Sequence, residues 1–246
     1  GTNISVTATG STEGRSLADR FAQVWSVEDF GAIAAGSNSA ADTNATTINA
    51  AITAASNAVV SSGAPYAVVR LPARVVVWSG AITLKTGVIL DLNGSTLKAK
   101  NSLNANFIEG EGTSSLYSGS TAGGIYDAGI INGTIDGNKA SQTSGHALRV
   151  YGYKLRFESL HITNAQERAF STKWGNPGLL ASPPARGLEN IVRNLYIDFA
   201  GQEGLYHEGP NDSHYSDVFV VSCGQDTTNT YDNVVCTGTY GHAHWT

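Results

Sequence analysis

Three segments of the chain end on the same side-chain chemistry. Residues 155–167 pass from an apolar run through small and amide residues to Gln166-Glu167; residues 188–203 do the same and finish on Gln202-Glu203, and residues 218–226 finish on Gln225-Asp226. Glu203 follows Glu167 by 36 residues, and Asp226 follows Glu203 by 23. The longer step contains Gly175-Asn-Pro-Gly and Ser182-Pro-Pro-Ala-Arg-Gly187. It reads as a loop of roughly a dozen residues set into a unit of about 22–23, a length typical of repeat architectures. A repeating strand–turn unit of this size is one coil of a solenoid, in which each coil touches only its neighbours. Equivalent residues of successive coils stand about 4.8 Å apart. Glu167, Glu203 and Asp226 would then form a ladder of carboxylates on one wall.

Such a ladder suits two kinds of chemistry. Hydrolysis of a glycosidic bond needs two carboxyl groups flanking it, about 5 Å apart for retention and roughly 6.5–9.5 Å for inversion. Stacked like charges raise one pKa, which suits a general acid. β-Elimination instead needs a base for the proton beside a uronate carboxylate, and a cation or donor to stabilise the enolate. Arg168, Lys173, Tyr206, His207 and His214 are the candidates, with His207 of Leu205-Tyr-His-Glu208 as the base. Tyr206 and Glu208 share one strand face, and Leu205 and His207 share the other. Trp174, at the mouth of the inserted loop, could stack on the apolar face of a sugar ring. No metal site is assigned. Ca²⁺ between carboxylates is compatible with the oxygen-rich ladder, and His242, His244 and Trp245 could belong to a site, an interface or an incomplete coil.

Positioning these residues calls for a strand-rich frame. Tyr66–Leu71, Val75–Trp78, Ala81–Leu84, Val88–Leu92 and Ser95–Leu97 are short, β-branched runs separated by Gly, Pro or Asn. Asn101–Gly124 is looser, and coils resume at Ile130–Asn138 and Ala147–Tyr151. Before all of these, Ile48, Ala51, Ile52 and Ala55 recur at helical spacing. Asp42 or Thr43 can cap that helix, which would cover the open end of the strand stack. Residues 1–24 read as a flexible N-terminal arm, and 25–246 as one domain. The strand-like run at the C-terminal end carries no obvious cap, so the natural protein is expected to continue there or to be covered by a partner.

The 246 residues suffice for a sizeable core; 28 are Gly and only 14% are charged, a turn-rich, β-rich profile. The net charge of −5 argues against a nucleic-acid surface, and no run approaches the length of a membrane span. Cys223 and Cys236 each follow an apolar run and read as buried free thiols.

Val27-Glu-Asp-Phe-Gly-Ala32, the Asp42-Thr-Asn turn with its helix, Val69-Arg-Leu-Pro-Ala73 and Gly133-Thr-Ile-Asp-Gly137 together resemble the pectate-lyase-like superfamily. That group contains polysaccharide lyases, polygalacturonase-type hydrolases and phage tailspikes. The resemblance implies an all-β fold, a right-handed parallel β-helix (solenoid) with an N-terminal capping α-helix. It implies a carbohydrate-active enzyme degrading an extracellular, acidic polysaccharide by hydrolysis or β-elimination. The alternative is a non-catalytic glycan-binding or structural module, such as part of a tailspike, with a homotrimer as the expected assembly and a secreted or virion-surface location. Gly201-Gln-Glu-Gly-Leu205 and Gly224-Gln-Asp226 stand where the polygalacturonase branch carries Asn-Thr-Asp and Asp-Asp, and Gly241-His242 where it carries Gly-His-Gly. That comparison adds Glu203, Asp226 and His242 as implied equivalents. Gln and Glu replace Thr and Asp there, and Arg-Ile-Lys is absent.

Overall fold

The computed structural model describes residues 5–7, 14–16, 24–113, 124–174, 189–227, 230–237 and 243–246. It opens with an antiparallel pair, β1 (Ser5–Thr7) and β2 (Gly14–Ser16). From β3 (Val24–Ser26) onward every strand pairing is parallel.

The single α-helix among the described residues, α1, spans Ala41–Ser62. Ile48, Ala51, Ile52 and Ala55 are fully buried on its inner stripe, as their three-and-four spacing requires. The helix is longer than its apolar pattern suggested, and its start is built differently. Ala40 is the N-cap and makes no side-chain capping bond. Asp42 lies inside the first turn, where a carboxylate suits the positive end of the helix, and bonds Lys100 Nζ at 2.7 Å.

The strands then wind in coils: β4 (Ala67–Arg70), β5 (Val76–Ser79), β6 (Ile82–Leu84), β7 (Val88–Asp91), β8 (Thr96–Ala99), β9 (Ile108–Gly110), β10 (Ile125–Tyr126), β11 (Gly129–Asp136), β12 (Leu148–Tyr153), β13 (Arg156–Thr163), β14 (Phe170–Lys173), β15 (Ile191–Asp198), β16 (Leu205–Glu208), β17 (Ser213–Val221), β18 (Val234–Cys236) and β19 (Ala243–Trp245). β9 falls within the stretch read from sequence as loose. One sheet follows the order β18-β16-β14-β12-β9-β6; the other runs β19-β17-β15-β13-β11-β7-β4-β3.

The long strands β11, β13, β15 and β17 each turn a corner at mid-length. Asn132, Ser159, Asn194 and Asp217 stand there with φ of 61°, 54°, 49° and 53°, and each is skipped in the register between coils. Asn and Asp tolerate this left-handed conformation better than other non-glycine residues. The corner divides each long strand into two walls, and the shorter strands of the other sheet form the third.

Inward residues stack from coil to coil. Val69, Leu90, Ile130, Phe157, Val192 and Tyr215 form one such column, none more than 1% exposed. Burying each of these side chains contributes roughly 1.5–3 kcal/mol, so the core is a continuous rod rather than a globule. The chain is an all-β, right-handed parallel β-helix with an N-terminal capping helix. Among the described residues no helix is long and apolar enough to cross a membrane.

Both cysteines are free, as read from sequence, but neither is buried: Cys223 is half-buried and Cys236 exposed. Partial burial still raises both thiols above their ordinary range.

Candidate functional site

The third wall carries a run of ionisable side chains. Its strands alternate in the usual way: Leu148, Phe170, Leu205 and Val234 point inward in one stacked column. The next residue of each strand points outward, which gives the outer column Glu109–Arg149–Ser171–Tyr206. Two residues further on, Lys173 stands opposite Glu208, 3.8 Å between Nζ and Oε1. Arg149 and Glu109 approach to 3.6 Å.

The turns entering this wall carry the residues singled out from sequence, and their phase is set by the strand ends. Between β13 and β14, and again between β15 and β16, the turn has six residues. Glu167 is the fourth of its turn and Glu203 the fifth of the next. Arg168, not Glu167, is therefore the counterpart of Glu203. The backbone confirms this: Ala169 N–H donates to the carbonyl of Glu203 at 3.1 Å and Phe170 N–H to that of Gly204 at 2.9 Å. The expected wall exists, but the carboxylates do not stack on one another. Glu203 and Asp226 each have a basic neighbour instead.

Arg168 Nε donates to Glu203 Oε2 at 2.9 Å, with the carboxylate side chain only 11% exposed. The guanidinium carbon lies 3.5 Å from the centroid of the Tyr206 ring, a cation–π contact. Burial, with the charge of Glu208 second, raises the Tyr206 phenol above its ordinary value although Arg168 pulls the other way. Asp226 approaches Lys139 Nζ at 3.4 Å and accepts from Gln166 Nε2 at 3.4 Å.

Glu167 lies beside His146, a residue the sequence reading did not reach. The backbone N–H of Arg168 donates to His146 Nδ1 at 3.1 Å, so Nδ1 is an acceptor and the proton sits on Nε2. Burial first, then the positive charges of Arg149 and Arg168, lowers the pKa of His146 to about 3. Its 3.4 Å approach to Glu167 Oε2 is therefore a contact with a neutral ring, not an ion pair. Arg149 and Glu109 were also missed. Their signal was the alternation around Leu148 and Ile108, which fixes the next residue as outward.

His207 lies elsewhere than a surface base must. It shares the inward direction of Leu205, is fully buried, and its Nδ1 is within 2.9 Å of Thr172 Oγ1 and 2.8 Å of the Tyr215 phenolic oxygen. A polymer lying on the wall does not reach it. Trp174 is 5% exposed and meets the edge of Tyr153 at 5.5 Å, a packing role. His214 stacks on His244 at 5.2 Å, and Trp245 on Tyr215 at 4.6 Å, on a different wall from Arg168. His242 and the inserted loop at 175–187 lie outside the described residues. Among the described residues no group of three or more His, Cys, Asp or Glu side chains could hold a metal ion. Of the carboxylates considered for Ca²⁺, Glu203 faces Arg168 and Asp226 faces Lys139.

No protein-family model matches the sequence, and no curated protein matches it. Two solved structures do match in shape. The A-module of mannuronan C-5 epimerase AlgE4 from Azotobacter vinelandii superposes with a TM-score of 0.59 at 19% identity, over 80% of this chain and 51% of that one. The A-module of AlgE6 from the same organism gives 0.57 at 17%, over 79% and 49%. The chain thus spans about half the length of these neighbours. The likeness is one of fold: the protein is a parallel β-helix.

Proposed function

We propose that the chain is a carbohydrate-active module that holds an acidic polysaccharide against the third wall and removes the proton beside a uronate carboxylate. The observation that carries this reading is the Arg168 guanidinium, held between Glu203 and the face of Tyr206. Glu203 engages Nε and the Tyr206 hydroxyl accepts from the guanidinium as well, and the remaining N–H donors can bind a sugar carboxylate. The epimerase neighbours, which by name act on mannuronan, support the substrate class.

In this scheme Arg168 neutralises the uronate carboxylate and stabilises the enolate into which the C–H electron pair moves. Glu203 accepts the proton from the carbon. Tyr206, whose raised pKa keeps its hydroxyl protonated at neutral pH, is the donor. Protonating the carbon from the opposite face inverts it; protonating the departing glycosidic oxygen completes β-elimination. His146, neutral with its proton on Nε2, serves as a hydrogen-bond donor and not as a base. Hydrolysis fits less well, because the wall matches its carboxylates to basic side chains rather than to each other.

A second reading, a glycan-binding module without catalysis in an extracellular assembly, is favoured by that same charge pairing. Incubation with a panel of polyuronates separates the readings. Ultraviolet-absorbing unsaturated ends signify elimination, altered uronate ratios by NMR signify epimerisation, and new reducing ends alone signify hydrolysis. Binding without any product makes the chain a module, and the absence of both binding and product overturns the proposal.

A further inference from the structure

A cleft of about 200 Å³ lies between the C-terminal end of α1 and β10, away from the Arg168 centre. Tyr126 forms one wall. Its ring stacks on Tyr153 through one face, 5.3 Å between centroids at 14°, and Tyr153 belongs to the next coil. On the opposite side Tyr126 meets the preceding coil: its N–H reaches Thr86 Oγ1 at 3.4 Å and its carbonyl accepts from Gly87 N–H at 3.0 Å. Tyr126 lines the cleft and is 40% exposed.

The floor exists because Gly87 lets the helix end approach the sheet. Gly87 has φ of +72°, and a Cβ there would come within 2.5 Å of Val59 Cγ1. α1 ends on Gly63 in the left-handed conformation and carries no basic residue in its last turn, so the partial negative charge of the helix terminus is not answered by its own side chains. Asp127 lines the same cleft, and its charge, after burial and Tyr126, helps raise the Tyr153 phenol. No ion pair of Asp127 occurs among the described residues. Asp127 also borders a second cleft, which Lys154 and Arg156 line.

An aromatic face, a carboxylate and a helix C-terminus all favour positive charge, and the space is that of a single pyranose ring. We propose that this cleft is a binding site for an ammonium-bearing sugar ring, an amino sugar whose apolar face lies on Tyr126 and whose ammonium group meets Asp127. The site is independent of the reading of the third wall, so its test does not depend on turnover.

The test is calorimetric titration of the full chain at neutral pH with glucosamine, glucose, glucuronate and methylammonium. Glucosamine should bind at least 10-fold more tightly than glucose, with no measurable binding of glucuronate. Asp127→Asn should abolish the preference for glucosamine over glucose, and Tyr126→Leu should weaken glucosamine at least 5-fold. Amide NMR shifts centred on Gly87 and Asp127 should accompany binding, and unchanged spectra elsewhere show that the variants are folded. The proposal is overturned if glucosamine does not bind, if glucose binds equally well, or if neither substitution matters. It is overturned equally if methylammonium matches glucosamine, because the ring would then not be read.

Discussion

The backbone N–H of Arg168 donates to Nδ1 of His146 across 3.1 Å, and this one bond fixes which ring nitrogen carries a proton. It also links the site to acid stability. The folded pKa of about 3 lies below the ordinary 6.5, so between those values the unfolded chain binds the extra proton. Stability should then rise with pH across that window and fall as acid is added. The contribution is on the order of a few kcal/mol. Denaturant melts of wild type and His146→Gln from pH 3 to 7 should show a flatter dependence in the variant.

The pairing of Arg168 with Glu203 should show as coupling. Arg168→Ala strands a largely buried carboxylate and should cost about 1–3 kcal/mol, the lower end reflecting the 24% exposure of the arginine side chain. Glu203→Gln should cost about 1 kcal/mol and leave the fold intact while abolishing turnover. In the double variant the losses should fall short of their sum, as for residues in contact. Additive losses in urea melts would mean that the two side chains act separately.

Much of this arrangement is legible in the sequence, and the parts that were not share a cause. Ile48, Ala51, Ile52 and Ala55 identified α1 because helical periodicity is local. Short β-branched runs identified the coils for the same reason. The phase of the turns is not local: aligning segments on Gln plus a carboxylate paired Glu203 with Glu167, whereas the strand ends pair it with Arg168. The direction of His207 was recoverable, because Leu205 on the same face must point into the core. His146 had no such mark; its importance comes from a bond to the next coil.

The corner positions give a test of the frame. Three of the four carry Asn or Asp, but Ser159 does not, and it adopts φ of 54°. Its hydroxyl accepts from Asn194 Nδ2 at 3.3 Å. Ser159→Asn should stabilise the chain by several tenths of a kcal/mol, since Asn enters the left-handed region at lower cost. A decrease in the unfolding midpoint would show that the hydroxyl contact outweighs the backbone preference.

Tyr206→Phe keeps the ring under the guanidinium and removes only the hydroxyl. Binding of a uronate oligomer should change less than threefold, while product formation should be lost. In wild type, the alkaline fall in activity should lie above the ordinary phenol value, because burial raises this group. Retained product formation in the variant would remove Tyr206 as the donor.

The most direct measurement compares polyuronate affinity in wild type with Arg168→Gln and Arg168→Lys. The guanidinium account expects at least 10-fold weaker binding in the Gln variant, with partial recovery in the Lys variant, which keeps the charge but not the planar fork. Equal affinity across all three proteins, each shown to be folded, would contradict the assignment of this wall as the site for an acidic glycan.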